Sequence, residues 1–158
     1  MVIDMHVPPH DHAADLETAL DFVNTLQLVK GDWVDHLGST HDALDWLQER
    51  GLIHAETGDG SSHAGDSDER RIRRIRRTRA ALRELADATY EGRSPAPDAI
   101  DEVNRALQSR AILQLVPSVD GIRLDHRHVG DPIDDALANL SQQVVREIVG
   151  GRPDRIRA

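Results

Sequence analysis

The residues best suited to hold a ligand are polar side chains set inside apolar helical segments. Asp21 and Asn24 stand three residues apart in such a segment, which makes them neighbours on a helix surface. A pair of this kind could orient a ligand at the mouth of a helical pocket, or it could hydrogen-bond the backbone of an adjoining loop. The structural alternative is the commoner of the two, and Asn104 in a later segment has the same two interpretations.

Aromatic side chains are scarce, so each one is a candidate for a core position or for stacking on a ligand. Trp46 lies beside Leu44 and Leu47, which is typical of a core tryptophan, whereas Trp33 lies in a loop-like region where it could cover a pocket. The hypothesis that the protein binds a small effector depends on five residues: Asp21, Phe22, Asn24, Trp46 and Asn104.

Seven arginines crowd into the ten positions from Arg70 to Arg79. On a helix they cover every face except a stripe through Ile72 and Ile75. Such a surface could bind an anion or the phosphates of a nucleic acid, or it could be a solvated face paired with acidic residues elsewhere in the chain. The first 69 residues carry 15 acidic and two basic side chains, and no aromatic residue interrupts the arginines. These observations favour charge pairing within the chain.

Histidine is the remaining candidate for binding a metal. His126 and His128 alternate along a predicted strand and therefore share one face, but Asp125 points to the other face. A zinc site needs at least three protein ligands, and no third ligand shares that strand face. We therefore expect no metal ion and no other cofactor.

Composition excludes several classes of protein. The 158 residues contain no cysteine, so no disulfide, thiolate nucleophile or cysteine-ligated zinc site can form within them. The net charge of −9 argues against strong non-specific binding to DNA. There is no secretory signal, no apolar run of the roughly 20 residues that span a bilayer, and no phosphate loop, nucleophile elbow or zinc-protease motif. We expect a cytoplasmic protein that is not an enzyme.

Apolar periodicity predicts about five helices. A first helix follows Asp15 and is ended or interrupted at Gly31, and a second is opened by Ser39, which has an acid at capping-box spacing. Ser67 is expected to cap a long third helix, and Pro97 to begin a fourth.

After the fourth helix the apolar period changes to that of a strand. Residues 112–127 are predicted to form one β-hairpin with its turn at Asp120 and Gly121, and Asp131 and Pro132 then begin the last helix. The result is an α+β fold, mainly α, in a single compact domain over residues 15–151. Residues 1–14 are expected to be a flexible arm, and residues 152–158 a basic tail.

Three segments, in this order, resemble the ABATE domain of CGNR zinc-finger proteins. The first, Ala19 to Leu26, reads ALDFVNTL and is similar to the family's LDFVNT helix. The second, residues 44–47 followed by 51–53, is similar to the family's W-L and G-L element. The third is the arginine-rich helix leading through Pro95 to Val103 and Asn104. The resemblance runs from about residue 15 to the C-terminus and implies the same helical domain with its hairpin.

This resemblance implies a role in bacterial stress-induced transcription regulation. Members of the family carry a compact four-cysteine zinc finger that contacts DNA, and this chain ends at Ala158, about where the first zinc-binding cysteine would come. The implied function is a non-enzymatic regulatory module that senses a small effector or a partner protein, with DNA contacted only through such a finger and no membrane involved. The alternative is a structural or oligomerisation domain without a ligand, for which a homodimer is expected.

Overall fold

Helices dominate the fold, and two small β-hairpins lie beside them. The structure, a computed structural model, describes residues 14–53, 64–109, 111–128 and 131–151. In chain order the elements are α1 (Leu16–Val23), β1 (Leu26–Val29), β2 (Asp32–Asp35), α2 (Thr40–Glu49), α3 (Ala64–Glu91), α4 (Pro97–Leu107), β3 (Ala111–Ser118), β4 (Gly121–His128) and α5 (Pro132–Val149). The predicted α+β, mainly α class is confirmed, with two separate antiparallel hairpins in the described ranges instead of one.

Side-chain caps fix the start of three helices as the sequence predicts. The Asp15 carboxylate accepts a hydrogen bond from the Thr18 backbone N–H at 2.8 Å, and this bond lowers the pKa of the carboxyl. Ser39 and Asp42 form a reciprocal capping box at the start of α2. Asp131 accepts from the Ile133 N–H at the start of α5.

The third helix starts earlier than its predicted cap. It begins at Ala64, so Ser67 lies in the first helical turn instead of preceding it. Alanine is a strong helix former, and Asp68 and Glu69 place negative charge near the helix N-terminus, which favours the extension.

The first helix ends earlier than predicted because a hairpin replaces its second half. After α1 ends at Val23, β1 and β2 pair with Leu28 opposite Trp33. The turn between the strands consists of Lys30 and Gly31, whose φ angles of 53° and 94° are both positive. Two positive φ values in a two-residue loop match the right-handed twist of a hairpin, so Gly31 marks this turn and not a helix end.

The hydrophobic core lies where α1, α3, α4 and α5 pack together, with α2 against α3. Its largest fully buried apolar side chains are Phe22, Val23, Leu37, Leu47, Ile75, Leu82, Leu137, Leu140 and Val144. Ala14, the last residue of the predicted arm, is also buried. Residues 1–13 and 152–158 lie outside the described ranges, as do residues 54–63. Among the described helices, none combines the length and the apolar character that a membrane span requires.

The second hairpin contributes little to this core. Its strands pair without interruption from Ala111 opposite His128 to Ser118 opposite Gly121. Apart from the half-buried Val116, every described side chain of these strands is exposed. The predicted hairpin is therefore confirmed, and its described side chains are mostly exposed.

Candidate functional site

Three of the five predicted ligand-binding residues meet where α1 approaches α2. Phe22 is fully buried, and its ring centroid lies 5.7 Å from that of the half-buried Trp46. The guanidinium carbon of Arg50 lies 4.0 Å from the Trp46 ring centroid, and its terminal nitrogen lies 3.9 Å from the Asp21 carboxylate. This aromatic–cation–carboxylate stack closes the edge of the core and holds Arg50 by a cation–π contact.

The other two predicted residues lie apart from the stack in the fold. Asn24 is the half-buried C-terminal cap of α1, where its backbone N–H donates to the Leu20 carbonyl. Asn104 is exposed on α4. None of the five predicted residues lines either of the two grooves described below, and ligand binding by them stays a prediction.

A buried ion pair joins α3 to the first hairpin. Arg79 is 4% exposed, and its two terminal nitrogens donate to the two carboxylate oxygens of Asp35 at 2.6 and 2.8 Å. The same guanidinium donates to the Thr25 hydroxyl at 3.0 Å, while that hydroxyl donates to the Phe22 carbonyl at 2.7 Å. The threonine of the LDFVNT segment therefore has a structural role, because it helps to satisfy a buried cation.

Asp35 is held in its charged form by this arrangement. Hydrogen bonding to Arg79 lowers the pKa of the carboxyl, and the Leu37 backbone N–H, which donates to it at 2.8 Å, acts in the same direction. None of the buried side-chain atoms that lack a partner in the described residues belongs to this cluster. The cluster is suited to fixing the hairpin on α3.

Hydrogen bonds from Arg93 and Ala96 to Glu84 fix the connection between α3 and α4, and we call this arrangement the Glu84 clamp. The Glu84 carboxylate accepts a two-pronged bond from Arg93 at 2.6 and 3.0 Å, and a bond from the Ala96 backbone N–H at 3.1 Å. The hydrogen bonds from Arg93 lower the pKa of Glu84 to about 2. This clamp therefore stays ionised at any physiological pH and ties the connector to α3.

The face of α3 that points away from Arg79 forms one wall of a groove of about 710 Å³. The second wall comes from the C-terminal half of α4 and the residues after it, and the third from the first two turns of α5. The lining residues are Arg70, Arg73, Arg74, Arg77, Thr78, Glu102, Arg105, Ala106, Gln108, Ser109, Asp134 and Leu137. We call this feature the arginine groove.

Positive charge exceeds negative charge in the arginine groove. Five of its lining residues are arginines and two are acidic. Both carboxylates already have an arginine partner within the groove, since Glu102 pairs with Arg105 and Asp134 pairs with Arg74. The arginine excess is therefore not balanced by the groove's own acids.

Arg77 and Thr78 are the least satisfied polar residues of this groove. Arg77 is exposed, and its guanidinium makes no ion pair or hydrogen bond with any residue in the described part of the chain. The Thr78 hydroxyl is buried and has no hydrogen-bond partner there either. Of the two, only the Arg77 guanidinium is accessible from the groove, because Thr78 is 1% exposed.

A smaller groove of about 330 Å³ lies on the adjacent side of the same helix. Arg73 and Arg77 line both grooves, so they stand on the ridge between them. This position makes the two arginines reachable from two sides.

The sequence contained a signal for the α3 wall of the arginine groove. Its residues 70, 73, 74, 77 and 78 follow the i, i+3, i+4, i+7, i+8 spacing of a single helix face. The other walls had no such signal, because Arg105 and Asp134 come to this face only through tertiary packing.

The predicted pairing of the arginines with acidic residues of the first 69 is confirmed for several of them. Arg79 and Arg76 approach Asp35, Arg71 lies 3.5 Å from Asp68, and Arg73 lies 3.7 Å from Glu69.

Metal-ligating side chains do not cluster within the described ranges, where no group of three or more His, Asp or Glu could hold an ion. The side chains of His126 and His128, the pair considered from the sequence, lie outside the described residues.

Comparison with known proteins gives one match. The family model ABATE, whose description is "Putative stress-induced transcription regulator", matches residues 16–151. Neither a curated protein nor a solved structure matches the chain.

Proposed function

The chain belongs to the ABATE family, and from that premise we propose that its helical domain is a non-enzymatic sensor within a bacterial transcription regulator. In this proposal a small effector binds in the arginine groove, and α5 passes the bound state to a DNA-binding segment that follows it. The observation that carries the proposal is that the groove includes the start of α5, where Asp134 pairs with Arg74.

Two ion pairs hold the start of α5 against α3. Arg71 donates to Asp131 at 3.1 Å, and Arg74 donates to Asp134. A ligand that engages Arg74 competes with Asp134, so it should bind more tightly to a state in which α5 has released this contact than to the state in which α5 keeps it. Differential affinity for two states is what effector coupling requires. Because α5 has 18 residues, it spans about 27 Å from the groove towards the C-terminus.

The groove chemistry supports binding more than catalysis. Both carboxylates in its lining are paired with arginines, and no histidine, lysine or tyrosine lines it. A general acid or base needs a titratable group near neutrality within reach of the substrate. Guanidinium groups stay protonated and serve as anchors for anions.

Hydrogen exchange combined with a thermal-shift screen tests this proposal. Phosphorylated sugars, di- and tricarboxylates and neutral sugars are screened for a rise in Tm, and exchange of residues 132–149 is then measured with each compound that binds. We expect at least one compound to protect the first turns of α5 in the wild-type protein and in Arg146→Gln, but not in Arg77→Gln. Arg146 is an exposed arginine of α5 outside the groove, so it is a control matched in charge. Unchanged exchange of α5 with every binding compound would defeat the sensing role.

Oligomerisation without a ligand is a second candidate, and the second hairpin supports it. Leu115 and Leu124 face each other across the strands and are 66% and 60% exposed, and Ile122 on the same face is 74% exposed. An exposed apolar ribbon of this kind is typical of an association surface. Sedimentation of the wild-type protein and of Leu124→Thr tests this: a concentration-dependent dimer weakened by the substitution supports it, and a monomer at all concentrations refutes it.

A further inference from the structure

The composition of the arginine groove identifies the chemical class of its ligand. We propose that the effector is a small phosphorylated molecule whose phosphate binds Arg77, Arg73 and Arg105 and competes with Asp134 for Arg74. This inference rests on the sensing function proposed above, and it adds the group that is recognised and the contact that is exchanged.

The first step is the distribution of charge. The groove brings five guanidinium groups together, and its two carboxylates are each engaged by one arginine. Arg77 has no ionic partner in the described ranges, and Arg73 has only the exposed Glu69 at 3.7 Å. Like charges gathered in a concave surface raise the local potential, which an anion relieves. A singly or doubly charged anion is therefore favoured over a neutral or cationic ligand.

The second step is the geometry of the donors. Guanidinium groups offer pairs of parallel N–H donors that match two oxygens of a phosphate. Arginines approach this groove from two helices, Arg73 and Arg77 from α3 and Arg105 from α4. A tetrahedral phosphate presents oxygens in several directions at once, whereas a planar carboxylate presents two in one plane. The two-sided arrangement therefore favours phosphate.

The groove is larger than a phosphate group. Inorganic phosphate would fill only part of 710 Å³, a volume typical of sites for metabolite-sized ligands. Gln108 and Ser109 offer neutral polar groups and Ala106 offers apolar surface, while the almost fully buried Thr78 and Leu137 lie at the base of the groove. These residues are suited to the organic part of a phosphorylated molecule.

The same groove is poorly suited to the backbone of a nucleic acid. Glu102 and Asp134 would repel a continuous row of phosphates, and no aromatic residue lines the groove for stacking on a base. The chain as a whole carries a net charge of −9. A single phosphate on a small molecule avoids both acidic residues more easily than a polymer does.

Binding is tested by calorimetry and thermal shift at constant ionic strength. The probes are inorganic phosphate, pyrophosphate and glucose 6-phosphate, with glucose, citrate and a DNA duplex as comparisons. We expect pyrophosphate and glucose 6-phosphate to bind the wild-type protein and Arg146→Gln equally, and at least tenfold more weakly to Arg77→Gln. Arg77→Lys keeps the charge but loses the two-pronged donor, so we expect intermediate affinity.

Three results would overturn the proposal. Arg77→Gln and the wild-type protein could bind the phosphates with equal affinity, or citrate could bind as tightly as pyrophosphate. The DNA duplex could also bind without being displaced by any of the small probes. Because Arg77 is exposed and has no described partner, its substitution should not affect folding, and an unchanged Tm without ligand confirms this.

The outcomes separate this inference from the sensing function. Phosphates that bind through Arg77 without changing hydrogen exchange of α5 would uphold the ligand class and defeat the sensing role. A neutral sugar or a tricarboxylate that binds in the groove and changes α5, while phosphates do not bind, would uphold the sensing role and defeat the ligand class.

Discussion

Arg77 and Arg79 stand two residues apart on the same helix and have opposite roles. Arg79 is 4% exposed and donates to the Asp35 carboxylate and the Thr25 hydroxyl, so its guanidinium is engaged on a closed face. Arg77 is exposed on the other side of α3, with no described partner, at the edge of a groove that contains four more arginines. A helix rotates by about 200° over two residues, which places the two side chains on different faces.

This difference shows that an arginine-rich helix is not one functional surface. The closed face uses a buried cation to fix the first hairpin, where removal of any partner leaves an unsatisfied charge. The open face leaves Arg77 hydrated, where its removal should change little except anion affinity. Substitutions on the two faces should therefore separate stability from binding.

The largest expected effect is the loss of stability in Asp35→Asn. This change leaves Arg79 buried without its counter-charge, and we expect the free energy of unfolding to fall by about 3 kcal/mol. Urea denaturation measures the change, with Arg77→Gln as the control that should stay within about 0.5 kcal/mol of the wild-type protein. If both variants lost the same amount of stability, the contrast between the two faces would be wrong.

Acid should weaken the ion pair of the closed face. Since the pKa of Asp35 is lower in the folded protein than its ordinary value of 3.8, its contribution is present above that value and is lost as the pH falls through the lowered folded pKa. We expect unfolding curves below pH 4 to show a flatter pH dependence for Asp35→Asn than for the wild-type protein. Arg77→Gln should keep the wild-type slope, and a flattened slope there would contradict the assignment.

Two threonines give a matched pair for the same comparison. Thr25→Val removes a hydroxyl that bonds both Arg79 and the Phe22 carbonyl, and should cost about 2 kcal/mol. Thr78→Val removes a buried hydroxyl with no described partner and should be neutral or stabilising by up to about 1 kcal/mol. Thermal and urea unfolding of both variants measures the difference. Equal costs would mean that Thr78 has a partner in the folded protein.

The smallest expected effect is a gain in anion affinity in Asp134→Asn. Removing the carboxylate that competes for Arg74 should strengthen pyrophosphate binding about threefold, because a partly exposed ion pair is worth less than about 1 kcal/mol. Calorimetric titration detects a change of this size. A weaker affinity would show that Asp134 supports the ligand instead of competing with it.

The sequence was sufficient for most of the fold because the decisive signals are local. Asp15, Ser39 and Asp131 cap helices through bonds to residues two or three positions away, so their effect is visible in the sequence. The first hairpin was missed because its short apolar strands also fit a helical stripe, and a lone Gly31 ends a helix as readily as it forms a turn. Lys30, a non-glycine residue at positive φ, gives no signal of that turn.

The candidate site was less predictable because it depends on contacts distant in the sequence. The α3 face of the arginine groove follows from helical spacing, but Asp134 meets Arg74 across 60 residues. The five residues predicted from the sequence are polar or aromatic exceptions in apolar segments. Trp46 and Phe22 instead pack on each other at the core, whereas Arg77 was one of many similar residues and could not be distinguished without the fold.

The Glu84 clamp decides which part of the groove can respond. Because Arg93 and the Ala96 N–H hold the connector to Glu84 of α3, we expect the α3 and α4 walls of the groove to keep their relative position when a ligand binds. At the start of α5 a ligand can exchange the partly exposed ion pairs with Arg71 and Arg74, while Ile133, Ala136 and Leu137 keep these turns packed on the core. Weakening the bonds between Glu84 and the connector by Glu84→Gln should spread ligand-induced movement over α4. The movement transmitted along α5 should then be smaller.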